Sequence, residues 1–241
     1  MKLTEDQRDF YSTNGYVHVE AMFAAEECAV LRGEIHALAE RLGSPDATWA
    51  SVKNAGTKIT HCHDVQFESA AITRLLIDPR FTGVAQDIIG PNVQLHHTKM
   101  FIKPSENGSP FPMHQDYHYF PHAENTMTAA IMHFDDAPIE KGCLRVVPGS
   151  HLLGPLEPVG DDRHLPGYAI EDATPIPSKA GDVIFFNYLL IHGSGLNLSD
   201  EARTTLLVQM RDPQDRPTIE RHLSRGQGMM LAGINSVPSV G

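Results

Sequence analysis

The chain of 241 residues has few cysteines, no long apolar run and no excess of basic residues. Cys28, Cys62 and Cys143 form no Cys-x-x-Cys pair, which argues against a disulfide framework and against a structural zinc site. No apolar stretch reaches the roughly 20 residues that a membrane helix needs. The formal net charge of −11 argues against a nucleic-acid partner or an anionic-membrane partner, because phosphate binding requires clustered Lys and Arg. The net charge does not exclude a small-molecule substrate.

The N-terminus also lacks the basic flank and apolar run of a secretory signal, since Met1–Asp6 leads directly into a helix-like pattern. We therefore expect a cytoplasmic protein. A hydrophobic fraction of 41% and a charged fraction of 20% are typical of a globular protein with a substantial core. We expect a single domain over 1–241, helical over about 1–90 and rich in β-strands over about 91–212.

The N-terminal part has the pattern of helices. Thr4 and Gln7 have the spacing of a capping box, which predicts a short helix that ends near Gly15. Further helices are predicted over 24–42 and around 69–77 and 79–89, because apolar residues recur there at helical spacing.

The pattern then changes to that of β-strands, which are predicted over 93–102, 126–134, 142–147, 183–192 and 204–210. Many strands after a few helices predict a mainly β sandwich or barrel with flanking α-helices. The long connection 154–178 and the polar, irregular segment 46–68 are interpreted as segments that close over a pocket.

A histidine and an aspartate two residues apart, His114 and Asp116, stand in an aromatic-rich stretch. In a strand, residues i and i+2 share a face, so the imidazole and the carboxylate would lie side by side. Such a pair forms two corners of the facial triad of non-haem Fe(II) oxygenases, which a distant histidine completes. His192 can be that histidine, although one that only caps a core strand through a backbone carbonyl gives the same pattern.

Arg203 follows His192 by eleven residues, across a predicted turn. If these two residues pair across a hairpin, their side chains share a face, and Ser194 joins them. A buried guanidinium requires a carboxylate, and no acidic residue is obviously placed to supply one. A dicarboxylic cosubstrate that chelates iron through its 2-oxo and C1 carboxylate groups would send its far carboxylate to Arg203 and Ser194.

Three stretches, Pro112–Pro121, Gly142–His151 and Leu189–Asn197, are together similar to sequences of the phytanoyl-CoA dioxygenase family. The similarity runs from about Lys58 to Met210. It implies a double-stranded β-helix, the cupin-like jelly roll, and dependence on Fe(II), 2-oxoglutarate and dioxygen.

The resemblance also implies roles for individual residues. His114, Asp116 and His192 would bind the iron as the catalytic metal site. Arg203 with Ser194 would hold the distal carboxylate of 2-oxoglutarate.

Three further positions concern the cosubstrate. The family uses a lysine upstream of the strands, and Lys58 lies about where that lysine is expected. Lys99 stands where relatives carry an apolar residue in contact with 2-oxoglutarate, and Ile131 stands where they commonly carry tryptophan. Both departures would reshape the pocket.

The resemblance implies an oxygenase that hydroxylates an aliphatic C–H bond of a small molecule and releases succinate and CO2. The same cofactors would also serve desaturation, epoxidation or ring formation on a natural product. From a different class, a non-oxidative, cupin-like metal-binding isomerase or sensor remains an alternative, although it has no need of Arg203 with Ser194. The aromatic residues 117–120 either line a substrate pocket or pack the barrel.

Overall fold

The computed structural model describes residues 1–42, 60–105, 108–161, 163–219 and 223–237. Its helices are α1 (Glu5–Asn14), α2 (Ala25–Leu42), α3 (Ala70–Leu76) and α4 (Pro79–Ile89). Its strands are β1 (Tyr16–Val19), β2 (Thr60–His63), β3 (Val93–Lys103), β4 (Phe111–His114), β5 (Thr128–His133), β6 (Leu144–Val146), β7 (Thr174–Ile176), β8 (Val183–Asn187), β9 (His192–Ser194), β10 (Arg203–Arg211) and β11 (Met230–Ala232). Within these ranges, no helix has the length and apolar character needed to cross a membrane.

The predicted N-terminal helices are confirmed, and α1 has the predicted caps. Thr4 Oγ1 accepts from the backbone N–H of Gln7, while the Gln7 side chain accepts from the backbone N–H of Thr4. Gly15 ends the helix at φ +80°, a left-handed conformation that glycine adopts without strain. The buried side of α2 carries the predicted apolar stripe: Cys28, Leu31, Ile35 and Leu38.

The strands form two antiparallel sheets, which together make the predicted jelly roll. The larger sheet has the order β1-β8-β5-β10-β3-β11, and β2 also pairs with β3. The smaller sheet has the order β4-β9-β6-β7. Because β1, β2 and β11 lie outside residues 91–212, the larger sheet takes strands from both ends of the chain.

The two faces of the larger sheet have different roles. Phe185 of β8 packs against Phe81 of α4, with ring centroids 5.4 Å apart, in the main core shared with the helices. Burial of each such side chain contributes roughly 1.5–3 kcal/mol. Leu206, Val208 and Met210 of β10 point into the same core. The alternate residues of β10 line a pocket on the other face: Arg203, Thr205, Leu207 and Gln209.

The predicted strand over 183–192 is wrong, because these residues form two strands in different sheets. β8 belongs to the larger sheet and β9 to the smaller one. In the turn between them, Leu189 N donates to Asn187 Oδ1 at 2.8 Å, and Tyr188 and Leu190 are fully buried. The apolar pattern therefore reflects a buried turn, which periodicity alone does not distinguish from a buried strand.

The predicted hairpin pairing of His192 with Arg203 is also wrong. β9 pairs with β4 and β6, whereas β10 pairs with β3 and β5. The two side chains reach the same pocket because the two sheets enclose it from opposite sides.

The irregular segment expected over 46–68 contains regular structure at its end. Residues Thr60–His63 form β2, and Val65–Phe67 form a short 3₁₀ helix. Residues 46–59, which include Lys58, lie outside the described residues. The role of Lys58 therefore stays a prediction.

Candidate active site

His114, Asp116 and His192 lie together in the pocket between the two sheets. All three are buried, and one ligand atom of each lies within 4.8 Å of the others. His114 Nε2 is 3.5 Å and His192 Nε2 is 3.8 Å from the same oxygen, Asp116 Oδ1. Two imidazole nitrogens and a carboxylate oxygen thus converge on one point.

His114 and Asp116 lie close together, but not in the way that their two-residue spacing predicts. His114 is the last residue of β4, whereas Asp116 is the first residue of a 3₁₀ helix over Asp116–Tyr119. The alternation of a strand therefore does not place them side by side. The change from strand to 3₁₀ helix after His114 places the Asp116 carboxylate beside the His114 imidazole.

Both histidines are oriented through their Nδ1 atoms. His114 Nδ1 lies 2.7 Å from Pro112 O, and His192 Nδ1 lies 2.9 Å from Leu190 O. Because a carbonyl only accepts, each Nδ1 carries the proton and each Nε2 keeps its lone pair towards Asp116. This tautomer is the one that a metal ligand needs, and the donor set fits Fe(II).

The carboxylate of Asp116 is also held from the larger sheet, because Gln209 Nε2 donates to its Oδ2 at 2.5 Å. Burial alone would raise the pKa of Asp116, but His192, His114 and the Gln209 hydrogen bond together lower it. Burial, with a contribution from His114, lowers the pKa of His192 to about 4. At neutral pH the site thus offers an anionic carboxylate beside a neutral His192.

Gln115, between the first two ligands, is fully buried and connects three segments. Its Nε2 donates to Gly154 O at 2.9 Å and to Leu189 O at 2.7 Å. Its Oε1 accepts from Leu156 N at 2.9 Å. These bonds connect the 3₁₀ segment, the turn before β9 and the start of the connection 154–178. The start of that connection is therefore anchored to the segment that carries His114 and Asp116.

The other end of the pocket contains a buried cation. Arg203 is 7% exposed, its Nη1 donates to Gly142 O, and its Nε has no partner among the described residues. Burial lowers the pKa of Arg203 to about 10, so the guanidinium stays charged at neutral pH. The described part of the chain places no carboxylate in ion-pair contact with it. Because such a cation is costly without an anion, this end suits the carboxylate of a ligand.

Lys103, which sequence reasoning missed, lies directly behind Ser194. Its Nζ donates to Ser194 Oγ at 2.9 Å and to Gly195 O at 2.7 Å. Because Ser194 Oγ accepts this bond, its own hydroxyl hydrogen is available to a ligand in the pocket. Burial, and then the charge of Arg203, lowers the pKa of Lys103 well below its usual value. Strand alternation from Lys99 would have indicated this residue, since both lie on β3 four residues apart.

The wall between the two ends consists of cross-strand rows on β5, β10 and β3. Lys99 and Ile131 lie in the middle row, on either side of Leu207. Burial lowers the pKa of Lys99 to about 7, although the negative charge of Asp116 offsets part of this effect. Starting beside Arg203, the pocket-facing rows are His133, Thr205 and Phe101, then Ile131, Leu207 and Lys99, then Gln209 and His97.

At the end of the wall nearest Asp116, β3 contains a β-bulge. His97 pairs with Gln209 and Leu95 with Met210, so His96 is the extra residue. At the bulge, the ring centroids of His96 and His97 are 5.0 Å apart. The ring of Phe120 packs against that of His97, with ring centroids 5.4 Å apart, and Phe120 lines the pocket.

The two interpretations of residues 117–120 thus apply to different residues. Phe120 lines the pocket, whereas Tyr117 packs against Tyr188, with ring centroids 5.5 Å apart. Of the predicted site residues, all those that the structure describes line the pocket. Sequence reasoning missed the contributions of Lys103, Gln115 and Gln209, and it did not place His133 in the pocket.

Comparison with known proteins adds a family match and two relatives. A family model described as phytanoyl-CoA dioxygenase matches residues 11–205. The chain is 28% identical over 228 residues to the peroxisomal phytanoyl-CoA dioxygenase of Rattus norvegicus, covering 85% of this chain and 67% of that protein. It is 27% identical over 229 residues to the ectoine dioxygenase of Halomonas elongata, covering 84% of this chain and 68% of that protein.

Solved structures share the fold. The non-haem epimerase SnoN from nogalamycin biosynthesis has a TM-score of 0.78 at 24% identity, over 95% of this chain and 98% of that one. EctD from S. alaskensis, solved with 2-oxoglutarate and 5-hydroxyectoine, has a TM-score of 0.72 at 21% identity, over 95% of this chain and 83% of that one.

Proposed function

Because this chain belongs to the phytanoyl-CoA dioxygenase family and is a non-haem iron- and 2-oxoglutarate-dependent oxygenase, we propose that it hydroxylates an aliphatic C–H bond of a small molecule. When bound, iron and 2-oxoglutarate supply the oxidation: one atom of dioxygen enters the substrate, and the other enters 2-oxoglutarate, which leaves as succinate and CO2. The observation that carries the proposal is the presence of two complementary sites in one pocket, a His/Asp/His set and a buried guanidinium.

In this proposal, His114, Asp116 and His192 hold the iron. Their support is the convergence of ligand atoms and the tautomers that the backbone carbonyls impose on both imidazoles. Arg203 and Ser194 hold the distal carboxylate of 2-oxoglutarate. Their support is the buried charge at the end of the pocket and the hydroxyl hydrogen that Lys103 leaves available.

Lys99 and Ile131 are proposed to flank the carbon chain of 2-oxoglutarate, because their row lies between Arg203 and the metal ligands. We further propose that the chain is one catalytic domain over 1–241. The main core supports this, because it combines residues from both ends of the chain, from Leu3 to Leu231.

The buried Arg203 also favours an oxygenase over a non-oxidative cupin-like isomerase or sensor. Such proteins have no cosubstrate carboxylate to balance the charge of a guanidinium at the end of the pocket. Desaturation, epoxidation and ring formation use the same site, so analysis of the product decides between them and hydroxylation.

Release of succinate tests this proposal. The protein is prepared without oxygen, loaded with Fe(II) and 2-oxoglutarate, and exposed to air without a prime substrate. We expect slow release of succinate, which a metabolite library then accelerates when it contains the substrate. The same protein with a chelator in place of Fe(II) is the control. Absence of succinate above this control, with and without the library, would contradict an oxygenase.

A further inference from the structure

His133 is a buried histidine at the carboxylate end of the pocket that has no role in the assignments above. It lies at the end of β5, is 1% exposed and pairs with Thr205 of β10. Arg203 is two residues before Thr205 on the same face of β10. His133 therefore belongs to the row nearest to Arg203, and both residues line the pocket.

The two ring nitrogens of His133 have different surroundings. Nδ1 is enclosed by protein and has no hydrogen-bond partner among the described residues, whereas Nε2 is not enclosed in this way. Because His133 lines the pocket, Nε2 is the nitrogen that a ligand can reach.

The ring carries one proton at neutral pH, and its position follows from these surroundings. Burial, and then the neighbouring Arg203, lowers the pKa of His133 to about 3, so the imidazole is neutral. The backbone carbonyl of Asp182, which accepts from the backbone N–H of His133, raises this pKa in part but makes no well-aligned hydrogen bond with Nδ1. A proton on Nδ1 would therefore lack a well-placed acceptor, whereas a ligand carboxylate in the pocket accepts from Nε2 and favours the tautomer with the proton on that atom.

We propose that His133 is a third contact for the distal carboxylate of 2-oxoglutarate, donating from Nε2, and that its ring closes the pocket behind that carboxylate. The site would then accept a 2-oxo dicarboxylate of five carbons in preference to the six-carbon homologue. This inference rests on the proposed function, because it requires 2-oxoglutarate to lie between the metal ligands and Arg203. It adds a residue that selects the length of the cosubstrate.

Three substitutions separate the hydrogen bond from the volume of the ring. His133→Phe keeps a ring but removes the N–H. His133→Ala removes both, and His133→Gln restores an amide N–H of similar reach. The matched control is His122→Phe, which alters a buried histidine outside the pocket.

The measurement is isothermal titration of the nickel-loaded protein, without oxygen, with 2-oxoglutarate and then with 2-oxoadipate. We expect His133→Phe to bind 2-oxoglutarate about ten- to hundredfold more weakly than the wild type, as expected for loss of a hydrogen bond to a charged group. His133→Gln should recover much of that affinity. His133→Ala should bind 2-oxoadipate at least as tightly as 2-oxoglutarate, and His122→Phe should match the wild type with both acids.

The outcomes distinguish this inference from the proposed function. If the wild type binds 2-oxoglutarate and His133→Phe binds it within about twofold of the wild type, the hydrogen bond does not exist. If His133→Ala keeps the wild-type preference for 2-oxoglutarate, the ring does not limit chain length. If His133→Ala fails to fold, the Phe and Gln variants decide the matter. A wild type that binds no 2-oxoglutarate overturns the proposed function, and this inference with it.

Discussion

The metal end and the carboxylate end of the pocket are built in different ways. The proposed metal ligands come from the last residue of β4, a 3₁₀ helix and the first residue of a three-residue strand. Backbone carbonyls orient the two imidazoles, and Gln209 holds the Asp116 carboxylate. The Gln115 side chain holds the irregular backbone through Leu189 O. The carboxylate end consists mainly of side chains on the long regular strands β3 and β10. A change at the metal end should therefore disturb geometry, whereas one at the carboxylate end should mainly alter ligand affinity.

The largest effect is expected at Asp116, the only anionic residue of the predicted triad. Asp116→Ala should lose most succinate production and bind Fe(II) more weakly, because only the two imidazoles remain as ligands. Succinate assays and metal titration measure both effects. Near-normal turnover of this variant without added carboxylate would contradict the triad.

The same carboxylate should also determine which product forms. In the proposed triad, Asp116 would fill the coordination position that is open to chloride in halogenases resembling this family. We expect the wild type to give no chlorinated product even in excess chloride. Mass spectrometry of the product tests this, and chlorine in the wild-type product would show that the position is accessible.

The next effect is expected at the carboxylate end. Arg203→Ala should reduce affinity for 2-oxoglutarate about ten- to more than hundredfold, since a charge-assisted contact is worth roughly 1.5–3 kcal/mol. Metal affinity should stay close to that of the wild type, because Arg203 does not touch the triad. Anaerobic titrations with metal and then with 2-oxoglutarate separate the two. Unchanged affinity for 2-oxoglutarate would show that the carboxylate lies elsewhere.

A smaller effect is expected at Gln115, which acts on the metal end through the backbone. Gln115→Leu leaves the buried Leu189 O and the partly buried Gly154 O and Leu156 N without this partner, which should lower the free energy of unfolding by about 1–3 kcal/mol. Metal affinity should fall by less than tenfold, less than for loss of a group bonded directly to a ligand. Chemical denaturation and metal titration provide the readouts.

A surface glutamine is the matched control for this variant. Among the described residues, the side chain of the half-buried Gln86 makes one hydrogen bond, to Pro91 O, and this bond is exposed. Gln86→Leu should change the free energy of unfolding by no more than about 0.5 kcal/mol. If Gln115→Leu behaves like this control, the bonds of Gln115 do not stabilise the metal end.

These differences also explain how much could be predicted from the sequence. Regular strands place side chains with a period of two, so once Arg203 is set in the pocket, Thr205, Leu207 and Gln209 follow. The helices and most strands were predictable for the same reason, because their periodic patterns match their burial.

The irregular parts were not predictable in this way. Residue type and family resemblance point to the triad, whereas the strand predicted to present both His114 and Asp116 and the hairpin predicted to pair His192 with Arg203 are wrong. No sequence pattern indicates the role of Gln115, because its hydrogen-bond partners are backbone atoms of distant segments. Lys103 and His133 were missed because neither belongs to a recognised motif, although His133 lies on a predicted strand and Lys103 directly follows one.

The turn between β8 and β9 has a consequence for folding as well as for the site. The turn places His192 at the start of β9 in the smaller sheet, so an ion bound by this residue and by His114, as proposed, would crosslink segments that are distant in the chain. Unfolding must release the ion. A free metal concentration of about a hundred times Kd therefore raises the free energy of unfolding by about 2.7 kcal/mol. The smaller sheet, whose strands are three or four residues long, depends most on that crosslink. Removing the metal should therefore increase amide hydrogen exchange in the smaller sheet before it does so in β3 and β10.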